Sequence, residues 1–314
     1  MNEKIIDIII PCFNEETNIK PVYEETRLVE TGIGNCRFNY IFVNDGSSDN
    51  TLEIIKELAQ GNEQVKYISF SRNFGKEAAM YAGICNSRGD YAVIMDADLQ
   101  HPPALIKDML ETIERTGCDC CAARRVNRKG EDKIRSLCAG LFYKLMNRFS
   151  DINIADGVLD FRLMNRNMVR AIRQLPENRR FSKGIFAWVG FDTRWVEFEN
   201  VRRMKGESKW SVWSLIKYAM DGFIDFAVSP LKFAGWFGGV VAVGSAVYLI
   251  VEIIKTLVLG RDTPGYASTI CLILFFGGMT IAILGLIGEY IGRMYMETKG
   301  RPVYIEKESN IHED

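Results

Sequence analysis

Up to about residue 125, short β-branched runs alternate with stretches of helical period. "IIDIIIP" (5–11), "FNYIFVND" (38–45), "VKYISF" (65–70), "YAVIMD" (91–96) and "CDCCAAR" (118–124) predict strands, with helices near 16–30, 50–60, 75–87 and 103–116. The strands are almost continuously apolar, so both faces of their sheet should be covered. The fold class is therefore α/β, with a Rossmann-like, doubly wound and mostly parallel sheet. Such sheets bind ligands outside the C-terminal ends of their strands. Asn14 and Glu15, Asp45, Arg72 and Asn73, and Asp96 and Asp98 all fall there.

Beyond this region the pattern changes twice. A basic helical segment spans 131–148, shorter strand and helix pieces fill 156–199, and 211–230 mixes aromatics with sparse charge in a helical period. The last suits either a membrane interface or an ordinary packing helix. Phe233 to Val251 then carries no charge over 19 residues, and Thr263 to Gly288 none over 26. Each is long enough to cross a hydrocarbon core of about 30 Å. The short connector "LGRDTPGYAS" makes them a transmembrane hairpin. Lys232, Arg293, Lys299 and Arg301 flank it, which places the large domain on the cytoplasmic side of the inner (plasma) membrane. Gly235 and Gly239, like Gly288 and Gly292, have the spacing of close helix contact, within the hairpin or between copies. The expected division is a large domain over 1–210, interface helices over 211–231, a hairpin over 232–293 (spans about 233–258 and 264–290) and a tail over 294–314.

The formal net charge of -1 conceals Arg- and Lys-rich stretches at 124–148 and 162–217, which suit an anionic ligand or surface. Eight cysteines lack metal-ligand spacing, and the two histidines, His101 and His312, cannot complete a zinc site. Reduced cysteines fit a cytosolic face. The opening "MNEKIIDIIIPCFNEE" predicts a first strand, not a secretory signal.

The stretch "VIMDADLQHPP" (93–103) runs a strand into two acids. Asp96 and Asp98 can converge on one divalent cation, with Gln100 adding a carbonyl oxygen; hard oxygen donors suit Mg²⁺ or Mn²⁺. A cap for the helix near Pro102 and Pro103 would account for one acid. In "VNDGSSDNT" (43–51), Asp45 projects where a carboxylate could accept from a base or ribose, and Ser or Asp could cap the next helix. "SRNFGKEAA" (71–79) places Lys76 at a helix N-terminus, an anion position.

In order along the chain, "PCFNEE", "VNDGSSDNT", "SRNFGKEAA", "DADLQHPP", "DFRLMNR", "RRMKGESKW" and "LIGEYIGRMYMETKGRPVY" resemble the polyprenyl-phosphate glycosyltransferases of the GT-A fold. That group includes bactoprenol glucosyltransferases and dolichol-phosphate mannosyl synthases. The resemblance implies inverting transfer of a sugar from a nucleotide diphosphate, UDP-glucose first, to a polyprenyl phosphate such as undecaprenyl phosphate. UDP-amino sugars and GDP-mannose are the alternative donors. It implies a homo-oligomer, with a tetramer among its forms, and no nucleic-acid partner.

By the same resemblance, Pro11, Asn14, Glu15 and Asp45 hold the nucleoside, and Lys76 and Asp96 also bind the nucleotide. Asp96 and Asp98 hold the metal that takes up charge on the leaving diphosphate, which puts Asp98 among the catalytic groups. Arg124 and Arg135 hold the lipid phosphate, though Ala139 stands where relatives carry Ser. Arg203 and Lys209, with Arg202 near, belong to a segment closing over the diphosphate, bent at Gly206. Asp160 matches the catalytic acid, ahead of the neighbouring Asp156. A phosphate monoester is already largely ionised near pH 7 (second pKa about 6). Asp160 therefore need not be a base, and could orient Arg162 or a sugar hydroxyl, or steady positive charge at the anomeric carbon. Processive synthases carry Q-x-x-R-W, which "DTRW" only echoes; a silent assembly partner would have no use for acids at 45, 96, 98 and 160.

Overall fold

A computed structural model describes residues 3–125, 157–198, 229–259 and 265–311. Two compact units divide the chain, one of Met1–Gly222 with Pro302–Asp314 and one of Phe223–Arg301.

The first unit is built on an eight-stranded sheet of β1 (Lys4–Cys12), β2 (Cys36–Asn44), β3 (Val65–Phe70), β4 (Tyr91–Ile94), β5 (Cys120–Arg125), β6 (Val158–Asn165), β7 (Thr193–Phe198) and β8 (Glu306–Ser309). Its order is β7-β5-β6-β4-β1-β2-β3-β8. The four strands β3-β2-β1-β4 are parallel, as their apolar runs predict; β6 enters antiparallel between β4 and β5, and β7 is parallel to β5. Ile6, Ile8, Ile9 and Ile10 are all fully buried because helices cover both faces. On one face α1 (Ile19–Gly32), α2 (Thr51–Ala59) and α4 (Leu105–Thr116) contribute Ile19, Val22, Ile55, Ile106 and Met109 to one core with Ile6, Ile8 and Ile10. On the other lies α3 (Lys76–Asn86), so close to β1 that a Cβ on Gly83 would stand 2.2 Å from Ile9 Cγ2. Two shorter helices follow β6: α5 (Arg166–Arg173) and α6 (Ser182–Trp188).

Residues 306–309, expected only as tail, instead extend the sheet. β8 pairs antiparallel with β3 (Ile68↔Ser309), and Asn310 fixes the pairing. Its Oδ1 accepts from the Tyr67 N–H (2.7 Å), and its Nδ2 donates to the Val65 carbonyl (3.0 Å). Upstream, Tyr304 stacks on Phe70 at 4.8 Å, and the Ser71 N–H donates to the Ile305 carbonyl (3.0 Å). An otherwise open edge is thus paired. Asn310→Ala removes two side-chain hydrogen bonds and should cost about 2 kcal/mol. Thermal unfolding of the full-length protein in detergent is expected to move down by a few degrees. An unchanged transition would mean that β8 adds nothing to the domain.

The second unit contains α7 (Ser229–Leu259) and α8 (Tyr266–Thr298). One stretch among the described residues, Phe275–Thr298, is long and apolar enough to cross a membrane, later than the expected 264–290; Ala234–Ser245 is a shorter apolar stretch. Val243, Val247, Leu257, Ile273, Ile281 and Leu284 are exposed on these helices. The interface helices expected over 211–231 lie outside the described residues but for their last three.

Candidate active site

From β1 the chain runs to β2 on one side, while β4 joins β1 on the other. The crevice beyond the C-terminal ends of β1 and β4 is the switch point of the sheet. Asp96 lies two residues past the end of β4. In the antiparallel register Ile94 faces Arg162, so Asp160, two residues earlier in β6, is carried to face Asp96. The inserted antiparallel strand thus brings together two acids 64 residues apart (160 − 96) in the chain.

Lys76, the first residue of α3, joins them. Its Nζ stands 2.6 Å from Asp96 Oδ1 and 3.0 Å from Asp160 Oδ2, with its side chain 42% exposed. Burial pushes the ammonium toward neutrality, but Asp160 and Asp96 outweigh it and hold the pKa well above the ordinary lysine value. Burial likewise opposes the Asp160 carboxylate; Lys76, Lys183 and Arg162 overcome it and keep the pKa well below the usual carboxylate range. Asp160 Oδ1 is buried and has no hydrogen-bond partner among the described residues. Arg162, 3% exposed, lies 3.7 Å from the Phe186 ring centroid and donates to the Leu159 carbonyl (2.9 Å). Sequence reasoning placed Lys76 at an anion site without finding its acid partners, and it missed Lys183.

Asp98 turns the chain: its Oδ1 accepts from the Gln100 N–H (3.1 Å), and Leu99 between them adopts φ 54. A left-handed leucine costs about 1–2 kcal/mol, strain of the kind that persists at functional sites. The N-cap position of α4 is Ala104, not one of the two acids. Among the described residues no group of three or more His, Cys, Asp or Glu could hold a metal ion. A cation at Asp96 and Asp98 would therefore complete its shell from water and substrate phosphate, as Mg²⁺ commonly does. The hard oxygen donors, beside a carboxylate that already holds a cationic ammonium, fit such an ion.

The loop after β1 is braced from the loop after β2. Asn14, at φ 55, accepts at Oδ1 from the Ser48 N–H (2.9 Å), while its own N–H donates to Ser47 Oγ (3.0 Å). The Glu15 N–H donates to Thr51 Oγ1 (2.8 Å). The hydroxyls of "DGSSDNT" were the available signal for this bracing. An acid does hold the start of α2, with Asp49 Oδ1 accepting from the Thr51 N–H (3.1 Å). Pro11 lies half-buried near the end of β1. Asp45, 3% exposed, accepts from the N–H groups of Phe74 (2.6 Å) and Gly75 (2.9 Å). Burial pushes its pKa up, against those two bonds. Its carboxylate therefore clasps the loop that delivers Lys76.

Arg124 is half-buried near the end of β5, paired in register with Val158 of β6, at the same end of the sheet as Asp160. Arg135, Ala139, Asp156, Arg202, Arg203, Gly206 and Lys209 lie outside the described residues.

Residues 7–173 match the family described as Glycosyl transferase family 2. The chain belongs to glycosyltransferase family 2. It is an enzyme of that family, and residues 229–294, within the second unit, match the GtrB C-terminal hairpin. CsbB of Bacillus subtilis is 46% identical over 313 residues, 99% of this chain and 94% of that protein. The bactoprenol glucosyl transferase of Shigella phage SfII is 40% identical over 305 residues, covering 97% and 98%. A prophage bactoprenol glucosyl transferase homolog of Escherichia coli K12 is 39% identical over 302 residues, covering 96% and 98%. Among solved structures, glucosyl-3-phosphoglycerate synthase of Mycobacterium tuberculosis, in complex with Mn²⁺, UDP-glucose and phosphoglyceric acid, is 18% identical with a TM-score of 0.44, over 69% of this chain and 76% of that one.

Proposed function

We propose that this family 2 glycosyltransferase moves glucose from UDP-glucose to undecaprenyl phosphate, at the cytoplasmic face of the plasma membrane. The observation that carries the reading is the Lys76–Asp96–Asp160 cluster at the switch point, in a chain similar over nearly its full length to bactoprenol glucosyl transferases. The bond from the anomeric carbon to the donor's β-phosphate oxygen breaks, a bond to a lipid phosphate oxygen forms on the opposite face, and UDP departs.

In this reading Pro11, Asn14, Glu15 and Asp45 frame the nucleoside. Asp96 and Asp98, with Gln100 beside them, would hold Mg²⁺ or Mn²⁺, which when bound acts as a Lewis acid toward the diphosphate. Arg124, Arg135, Arg203 and Lys209 supply positive charge for the two phosphate groups, with guanidinium forks suited to the lipid phosphate. The acceptor is largely ionised near pH 7 and needs no base to attack. Asp160, held as a carboxylate by three cations, suits electrostatic support at the anomeric carbon better than proton abstraction. The two long helices α7 and α8, with large apolar side chains exposed, would span the bilayer as a hairpin and keep the domain beside its lipid substrate.

The test uses full-length protein in detergent with undecaprenyl phosphate and, in turn, UDP-glucose, a UDP-amino sugar or GDP-mannose. UDP-glucose should give the fastest lipid glycosylation, and excess chelator should cut it at least about 100-fold, within the range of losing one strong electrostatic contribution. Preference for another donor would overturn the sugar assignment; undiminished transfer in chelator would overturn the metal role of Asp96 and Asp98.

A further inference from the structure

A lysine this close to two acids can be a static ion pair or a movable counter-charge. Three observations separate these. The Lys76 ammonium contacts Asp96 Oδ1 at 2.6 Å, so it occupies space beside an oxygen that a cation held by Asp96 and Asp98 would need. It also contacts Asp160 at 3.0 Å, so one monovalent group serves two carboxylates. Its side chain remains 42% exposed on a four-carbon stem, with solvent on one side, while the backbone beneath it is fixed through Asp45 and the Phe74 and Gly75 N–H groups.

We infer that Lys76 is a built-in counter-cation of the acid site: it neutralises Asp96 until a divalent ion arrives with the nucleotide, then transfers to the donor diphosphate. The inference rests on the metal reading of Asp96 and Asp98 given above. A divalent ion at Asp96 and the ammonium at its present position would repel each other at contact distance. Metal binding without nucleotide therefore has to expel Lys76 from Asp96 with no new anion to receive it. Metal binding with nucleotide supplies that anion. Lys76 thus makes the metal and the diphosphate bind cooperatively, and by linkage each strengthens the other equally. It would also keep the site from filling with metal before the donor is present, and steady Asp160 in the meantime.

Mn²⁺ titration followed by electron paramagnetic resonance, on full-length protein in detergent with and without UDP, tests this directly. Wild type should bind Mn²⁺ weakly alone and at least about tenfold more tightly with UDP. Lys76→Met should bind Mn²⁺ about tenfold more tightly than wild type without UDP, and its UDP enhancement should shrink. Lys76→Arg, which keeps the charge, should stay near wild type. Lys183→Met controls for general loss of positive charge, because Lys183 acts on Asp160; it should shift Mn²⁺ affinity by less than about threefold. If Lys76→Met binds Mn²⁺ no more tightly than wild type while UDP-dependent binding by wild type is intact, the counter-cation role is wrong and the metal reading stands. A shift in Lys183→Met equal to that in Lys76→Met would also overturn it, by showing bulk electrostatics. Absence of Mn²⁺ binding by wild type even with UDP would take down the metal reading and this inference with it.

Discussion

Asp160→Asn is expected to lower kcat for lipid glycosylation by about 100- to 1000-fold, the scale of removing one preorganised electrostatic group. KM for UDP-glucose should change by only a few-fold, since the proposed nucleoside frame lies elsewhere. The amide keeps the size of the side chain but not its charge. Lys76 then loses one of its two carboxylates, and the buried Arg162 loses the carboxylate that acts on it most strongly. The folded state should weaken as well, by about 1–2 kcal/mol, below the range for breaking a fully buried pair because the Asp160 side chain is 20% exposed. The pH dependence separates the two roles open to Asp160. Its pKa is lowered on folding, so its contribution to stability is present above the unfolded value near 3.9 and is lost as pH falls through the lower folded value. Between about pH 5 and 8 it stays ionised, and the acid limb of the rate should follow the lipid phosphate, whose second pKa is about 6. Asp160→Asn should therefore lower the profile without changing its shape. A flattened acid limb in the variant would instead make Asp160 a titrating base.

The strands of the first 125 residues were legible because each is an apolar run bounded by polar turns, and burial on both faces leaves little freedom in where such a run begins. The same logic could not find β8. "EKES" has no apolar face to read; it is a strand because β3 offers an unpaired edge and Asn310 grips it, facts about residues some 240 positions away. The position of β6 was hidden for a related reason. Its sequence shows a strand, but only packing of the whole sheet decides that it runs antiparallel between β4 and β5.

That insertion also decides what was legible in the site. The acids at 45, 96, 98 and 160 could be picked out by residue type and by resemblance, while their division of labour could not. Asp45 was expected to reach a nucleoside, and the structure adds that each of its oxygens holds an N–H of the loop before α3. Lys76 was expected at an anion position on grounds of helix geometry; the structure adds two carboxylates, 20 and 84 residues further on. Local pattern reports which groups could be charged, and the sheet order determines which charges meet.

Gly46→Ala tests that loop clasp from the backbone side and should be among the most damaging single-methyl changes in the domain. Gly46 sits at φ +65, where alanine is disfavoured by about 1 kcal/mol. The added Cβ would also stand 2.4 Å from the Arg72 carbonyl carbon, 2.7 Å from the Asn73 nitrogen and 2.9 Å from the Arg72 Cα. All three are backbone atoms, so no side chain can rotate away, and the segment between β3 and α3 must move. Its displacement would loosen the bonds from the Phe74 and Gly75 N–H groups to Asp45 and shift Lys76 from its acids. The expected cost is about 2–4 kcal/mol, within the range of overpacking added to backbone strain. Gly61→Ala supplies the comparison, with φ +73 and nothing among the described residues within 4 Å of its Cβ, and should show only the backbone share of about 1 kcal/mol. Thermal unfolding of both variants, with kcat/KM measured on the folded fraction, reads the difference. Gly46→Ala should lose at least about tenfold in kcat/KM while Gly61→Ala stays near wild type. Equal behaviour of the two would mean that the loop tolerates displacement and that the Asp45 clasp does not set the position of Lys76.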